Sequence, residues 1–202
     1  MRHGWVYIYE NAPATERLDE LLSFLKRRGL SLAHPPTGRI IRLSKIGEQI
    51  TSTEQDMRAQ LAKSEELAFN FYIDSDSTNV VCSIHKLDNA IVREGYSLDG
   101  KTEDESKFVI NILLEFFREQ LQRETEIAFV ADQYAELHQT FHWDDFILGD
   151  QDEPPEWPLA LGLPADSGKT SRIPNALYLC ENAKNFILYR RAGPDQQNPN
   201  VR

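Results

Sequence analysis

The chain has 202 residues, of which 41% are hydrophobic and 10% aromatic, so it can form a folded core. Its net charge of −10 at pH 7 argues against non-specific binding to nucleic acid or anionic lipid, because both favour basic surfaces. No apolar run approaches the roughly 20 residues of a membrane-spanning helix, and the N-terminal "MRHGWVYIYE" lacks the long apolar run and cleavage site of a signal peptide. We therefore expect a cytoplasmic protein.

The first half of the chain mixes strand patterns with two helical ones. "WVYIYE" has strand composition, and the "TERLDELLSFLKRRG" that follows places its leucines on one helical face and ends at Gly29. "RIIRLSKIGEQI" predicts one or two strands. "STEQDMRAQLAK" predicts a helix that opens with the capping pattern Ser52-x-x-Gln55. "LAFNFYID" and "NVVCSIHKL" predict a hairpin.

The second half contains the clearest single element. "DGKTEDESKFVINILLEFFREQLQRE" begins with the capping box Thr102-x-x-Glu105 and has a wide apolar arc, which predicts the most buried helix over about 103–122. "EIAFVAD" is strand-like, and 131–148 fits either a short helix or a loop. Residues 150–174 contain five prolines, which predict a long loop without a regular element. "NALYLCEN" and "NFILYRR" predict a final hairpin.

This mixture of elements predicts the α+β class, with a mainly antiparallel sheet and helices packed on one face. We expect one domain over residues 1–192 and a disordered tail over 193–202. Cys82 and Cys180 each lie in a strand-like apolar run, so we expect both thiols to be buried and reduced.

The acidity of the chain is concentrated in one segment. Between Arg123 and Lys169 there is no lysine or arginine but there are eleven acidic residues, and 32 minus 11 leaves 21 acids against 22 bases elsewhere. Acidic side chains around aromatic anchors suit a basic protein partner, although the aromatics of a solvated acidic loop can also pack into the core. We predict a partner-binding surface near 132–157, formed by Asp132, Tyr134, Glu136, Trp143, Asp144, Asp145, Asp150, Asp152, Glu153, Glu156 and Trp157.

The stretch "ELHQTFHWDDFILGD" (136–150) also offers a metal site as the alternative. His138 and His142 are four residues apart, so on a helix both imidazoles would point the same way, and Asp144 or Asp145 could complete the ligand set. The glutamate of an H-E-x-x-H motif is missing, because the residues between the histidines are "QTF". The alternative function is thus a metal-dependent hydrolase. The main prediction includes no metal and no cofactor.

From "IVREGYSLDGKTEDESKFVINILLEFFRE" through "EIAFVAD" to "FHWDDFILGD", the chain resembles bacterial immunity proteins of polymorphic-toxin and contact-dependent inhibition systems. The shared feature is a late strand that leads into an acidic segment with a tryptophan. The resemblance implies a small cytoplasmic α+β protein without enzymatic activity, which neutralises a toxin by occluding its active site. A nuclease-type toxin, with its basic substrate-binding surface, fits the acidity. A structural or adaptor subunit of a larger assembly is the third possibility.

Overall fold

The computed structural model describes residues 4–73, 78–87, 90–123, 125–132, 140–149, 151–154, 157–174 and 176–192, with the backbone alone over 140–142. The chain forms two compact units. We call Tyr9–Ser97 the N-terminal unit, and Met1–Ile8 together with Leu98–Arg202 the C-terminal unit. The prediction of one domain over 1–192 stays a prediction, and the tail 193–202 lies outside the described residues.

The N-terminal unit contains two helices and the strands of an antiparallel sheet. In chain order the elements are the last three residues of β1 (Trp5–Asn11), α1 (Ala14–Arg27), β2 (Ile40–Leu43), β3 (Gln49–Ser52), α2 (Glu54–Lys63), β4 (Glu66–Tyr72), β5 (Asn79–Lys86) and β6 (Ile91–Ser97). The strand order within this unit is β3-β2-β4-β5-β6. The pairs β2–β3, β2–β4, β4–β5 and β5–β6 are all antiparallel.

The core of this unit follows from strand alternation. Phe69 and Phe71 of β4 and Cys82 of β5 are completely or almost completely buried, and Phe69 pairs in register with Cys82. Helix α1 contacts β5, and α2 contacts β4. Seven of the fourteen α1 residues are buried. The helix ends at Arg27, and Gly29, which follows the C-cap, has a φ of 72°, the left-handed conformation that glycine adopts without strain.

The start of α2 lies one residue later than the capping pattern predicted. Thr53 is the N-cap, where its hydroxyl accepts from the Asp56 amide and its own amide donates to the Asp56 carboxylate, at 3.1 and 3.0 Å. Ser52 is instead the last residue of β3. Two overlapping patterns, S-x-x-Q and T-x-x-D, were available, and the one with the charged acceptor forms the box.

The C-terminal unit contains a long helix, a short one and a second set of antiparallel strands. Its elements are α3 (Glu103–Gln120), β7 (Glu126–Asp132), α4 (Thr140–Leu148), β8 (Ala160–Pro164), a 3₁₀ turn (Thr170–Arg172), β9 (Tyr178–Ala183) and β10 (Phe186–Arg191). The strand order within this unit is β7-β8-β10-β9. The pairs β7–β8, β8–β10 and β9–β10 are antiparallel. Together with the helices, these pairings confirm the α+β class.

Helix α3 begins at the predicted capping box and packs on β7, where the ring of Phe117 lies 5.5 Å from that of Phe129. The prediction that α3 is the most buried helix is wrong. Phe108 is 44% exposed, and only seven of the eighteen α3 residues are buried, against half of α1. Phe108 lies on the same side of the helix as the exposed Asn111 and Glu115, away from the buried residues of α3.

The proline-rich segment 150–174 contains a regular strand, so the prediction of a structureless loop is wrong. β8 lies between β7 and β10 in the strand order. Its first four residues, "ALGL", contain no proline, and Pro164 occupies the last position of the strand, beyond the residues that pair with β7, where no neighbour requires its missing N–H. The prolines therefore mark the ends of the strand.

The two cysteines differ in their surroundings. Cys82 is buried and Cys180 is exposed, and both are free thiols. The prediction of a buried Cys180 is wrong because β9 is the last strand in the order and most of its side chains face outward. None of the helices in the described ranges combines the length and apolar character that crossing a bilayer requires.

Candidate partner-binding surface

Trp143 and Asp132, two members of the predicted surface, belong to the core. The Trp143 side chain is completely buried, its ring lies edge-on to that of Phe146 at 5.9 Å, and its indole Nε1 donates to Asp132 Oδ2 at 2.8 Å. Asp132 is also almost fully buried at the end of β7. The prediction that these two residues contact a partner is therefore wrong, because a core tryptophan cannot anchor another protein.

The outer side of α4 presents Asp145, which is exposed, together with Asp144, which is half-buried, and Leu148, which is 38% exposed. The end of this helix is held by Lys169. Its ammonium donates to the carbonyl oxygens of Phe146, Ile147 and Gly149, the last at 3.2 Å. A lysine at a helix C-terminus is stabilised by the helix dipole. Lys169, the first basic residue after the acidic segment, therefore makes its contacts within the protein.

Asp152 and Glu153 follow in the connection between α4 and β8, and both are exposed. Arg172 Nη1 lies 2.8 Å from Asp152 Oδ2. Lys169 and Arg172 are only three residues apart. Because Lys169 contacts the end of α4 and Arg172 contacts Asp152, the end of α4 and Asp152 lie near each other. We call Asp145, Leu148, Asp152 and Glu153 the α4 corner.

The charge of the α4 corner is only partly compensated. The exposed Asp152–Arg172 pair is of the kind that contributes little to stability. Within the described part of the chain, the carboxylates of Asp145 and Glu153 have no ion-pair or hydrogen-bond partner. The corner therefore has two unpaired carboxylates beside an exposed leucine.

Trp157 is the predicted aromatic residue that does reach the surface, with 36% of it exposed. Its ring lies 6.5 Å from that of Tyr178, and its carbonyl accepts from Arg191 Nη1 at 3.4 Å. The Tyr178 hydroxyl donates to the carbonyl of Pro158 at 2.8 Å, and burial raises the pKa of Tyr178 to about 12. These contacts join Trp157 to β9 and β10 rather than to the α4 corner.

Several predicted site residues cannot be placed. Tyr134, Glu136, His138, Asp150 and Glu156 lie outside the described residues, as does the side chain of His142. Among the described side chains there is no group of three or more histidine, cysteine, aspartate or glutamate residues that could hold a metal ion. The metal site on His138, His142 and Asp144 stays a prediction.

The sequence analysis missed a buried ionic cluster in the N-terminal unit. Arg17 is fully buried on α1, and its guanidinium bonds both carboxylate oxygens of Glu94, with Nε–Oε1 at 2.8 Å and Nη2–Oε2 at 3.2 Å. Its Nη1 lies 2.8 Å from Glu10 Oε2, and the Tyr96 hydroxyl donates to Glu94 Oε2 at 2.7 Å. The sequence signal was available: Arg17 lies four residues before Leu21, on the apolar face of the helix.

The cluster is suited to holding the unit together rather than to catalysis. Burial raises the pKa of Glu94 although Arg17 acts in the opposite direction, and burial raises the pKa of Cys82 and Tyr96 well above their usual values. Burial alone would lower the pKa of Arg17, but the carboxylates of Glu94 and Glu10 outweigh it, so this pKa is raised. A thiol and a phenol that stay protonated, and that solvent does not reach, offer no nucleophile.

Comparison of the chain with protein-family models, with curated proteins and with solved structures yields no match.

Proposed function

We propose that this protein is a non-enzymatic binding module that docks a basic protein partner through the α4 corner. The observation that supports the proposal is the pair of exposed, unpaired carboxylates of Asp145 and Glu153 beside the exposed Leu148. The first two bases that follow the acidic segment, Lys169 and Arg172, are engaged within the protein. A basic partner would supply the cations that the corner lacks.

The partner class that this proposal names is a nuclease-type toxin, which the resemblance to immunity proteins implies. A nuclease must present a basic surface to bind its phosphate substrate. A protein with unpaired carboxylates can occupy that surface and exclude the substrate without any chemistry of its own. The carboxylates would guide the encounter, and apolar contacts at Leu148 would hold the complex.

The direct test is to look for a nuclease-toxin gene next to the gene of this protein and to measure inhibition of the nuclease domain that it encodes. We expect stoichiometric inhibition of the purified nuclease domain. Leu148→Ala is expected to weaken it by about tenfold or more if the leucine is a central contact. Leu179→Ala on β9 is the matched control, since Leu179 is exposed and lies outside the corner. Unchanged nuclease activity at equimolar protein would contradict the proposal, as would equal effects of the two variants.

A further inference from the structure

A polar cavity of about 310 Å³ lies in the N-terminal unit, at the side of the sheet formed by β2, β3 and β4. Asn70 and Tyr72 line it, and they alternate along β4 with the core residues Phe69 and Phe71. Successive side chains of a strand point to opposite faces, so the cavity lies on the face of the sheet away from that core. Its size is at the lower end of the range of small-molecule sites.

Asn70 forms the inner wall of this cavity. It is only 4% exposed, and its Oδ1 atom is buried without a hydrogen-bond partner among the described residues. A buried acceptor without a donor destabilises a fold, and such groups are rare unless they serve another purpose. An unsatisfied carbonyl oxygen on the wall of a cavity therefore points to a ligand that brings a hydroxyl or amino donor.

The charge of the lining is the reverse of that of the whole chain. Arg39 is the charged residue among the described lining residues, and its guanidinium has no ion-pair partner in the described part of the chain. His34 and Thr37 lie beside it in the lining, with His34 Nδ1 3.0 Å from Thr37 Oγ1. In a chain of net charge −10, an unpaired arginine in a concave site favours an anionic ligand.

The loop that carries these donors is fixed before any ligand binds. Ser31 and Tyr72 exchange two backbone hydrogen bonds, at 2.7 and 3.2 Å, which tie the start of the loop to β4. The His34 amide donates to the Arg39 carbonyl at 2.8 Å, and the His34 ring lies 5.3 Å from that of Tyr72. Two consecutive prolines, Pro35 and Pro36, further restrict the backbone between His34 and Arg39. Such preorganisation reduces the entropy lost on binding.

We propose that this cavity binds a small organic anion that carries a hydroxyl group close to its carboxylate or phosphate. Arg39 and His34 hold the anionic group, and the ligand hydroxyl donates to Asn70 Oδ1. This site is separate from the α4 corner and does not depend on the function proposed there.

The test uses calorimetric titration of the full chain with two probes, sn-glycerol 3-phosphate and D-glycerate, which distinguish phosphate from carboxylate. Methyl phosphate and acetate serve as half-ligands that lack the hydroxyl donors of the two probes, and glycerol as the half-ligand that lacks their charge. We expect one of the two probes to bind with one-to-one stoichiometry and at least about fivefold more tightly than either of its half-ligands. Absence of saturable binding of both probes at about 10 mM would overturn the proposal.

Two variants test the roles of the named residues. Arg39→Gln should reduce the affinity for the bound probe by at least about tenfold. Arg42→Gln removes the same charge next to the lining residue Ile41 but on the opposite face of β2, and it should bind as the wild type does. Asn70→Ala should remove the preference for the hydroxylated probe over its half-ligand. Equal effects of the two arginine variants would overturn the assignment, as would an unchanged preference in folded Asn70→Ala.

Discussion

At the scale of single residues, Arg17 has the largest electrostatic role in the described N-terminal unit. Its guanidinium lies among the carboxylates of Glu94, Glu10 and Glu20, the last at 3.7 Å. Breaking a buried ion pair by removing one partner leaves an uncompensated charge in the interior, which is far more destabilising than the net contribution of the intact pair. Arg17 therefore joins α1 to Glu10 of β1 and to Glu94 of β6.

We expect Arg17→Leu to lower the free energy of unfolding by about 3–5 kcal/mol at pH 7. Burial already raises the pKa of Glu94, and removal of Arg17 would raise it further. A carboxyl whose pKa is higher in the folded than in the unfolded state binds its proton more tightly in the folded state. Acidification therefore favours the folded state and reduces the loss of stability caused by the variant. Urea unfolding should accordingly show a smaller loss at pH 5 than at pH 7.

Lys26→Leu is the control for this variant, because Lys26 is an exposed cation in the last turn of the same helix. It should change stability by less than about 1 kcal/mol at both pH values. An equally small loss for Arg17→Leu at pH 7 would contradict the importance of the cluster.

The raised pKa of Tyr178 predicts that the free energy of unfolding depends on pH in the alkaline range. The unfolded phenol has a pKa of 10.0 and the folded one about 12, so the stabilisation from this group is complete below pH 10 and is lost as the pH rises toward 12. The difference in unfolding free energy between wild type and Tyr178→Phe should therefore be smaller at pH 11 than at pH 9. A difference that is constant between these two pH values would show that the folded and unfolded phenols ionise alike.

At the scale of elements, β8 shows how a close approach fixes the position of a strand. A Cβ atom built on Gly162 would lie 2.8 Å from Leu188 Cδ2, 3.2 Å from Phe117 Cε1 and 3.2 Å from Phe129 Cβ. These three residues come from β10, α3 and β7, so the glycine lets three neighbouring elements pack against β8. Phe117 of α3 can therefore pack this closely against β8 because residue 162 has no side chain.

We expect Gly162→Ala to lower the free energy of unfolding by about 1–3 kcal/mol through overpacking. Gly168→Ala is the matched control, since a Cβ atom there would meet nothing within 4 Å. Thermal unfolding of both variants tests the difference. Equal midpoints for the two variants would mean that Leu188 and Phe117 move aside without cost.

The positions of helices and strands could be predicted from the sequence better than the burial of individual side chains. The strand composition of "NVVCSIHK" and the capping box at Thr102 predict β5 and α3 correctly, because both signals are local. The burial of Trp143 and the exposure of Cys180 depend on which neighbours cover α4 and β9, and a local pattern does not contain that information. β8 was missed because flanking prolines obscure a short strand.

At the scale of the whole molecule, the acidic segment separates into two parts. Asp132 and Trp143 contribute to the core of the C-terminal unit, whereas Asp145, Asp152 and Glu153 face outward at the α4 corner. Lys169 donates a hydrogen bond to the end of α4, so it stabilises the helix that carries Asp145 and Leu148 of the corner. A charged surface of this kind accelerates association with an oppositely charged partner, and salt suppresses the acceleration.

The most direct test of the proposed function is the association rate with a nuclease domain that the protein inhibits, measured by surface binding kinetics at low and at physiological salt. We expect Asp145→Asn/Glu153→Gln to reduce the association rate by about threefold to tenfold at low salt, with a smaller effect at physiological salt. Glu48→Gln/Glu65→Gln removes two exposed carboxylates from the N-terminal unit and should leave both rates unchanged. Association that is independent of salt, or equally slow for the two double variants, would contradict a docking role for the α4 corner.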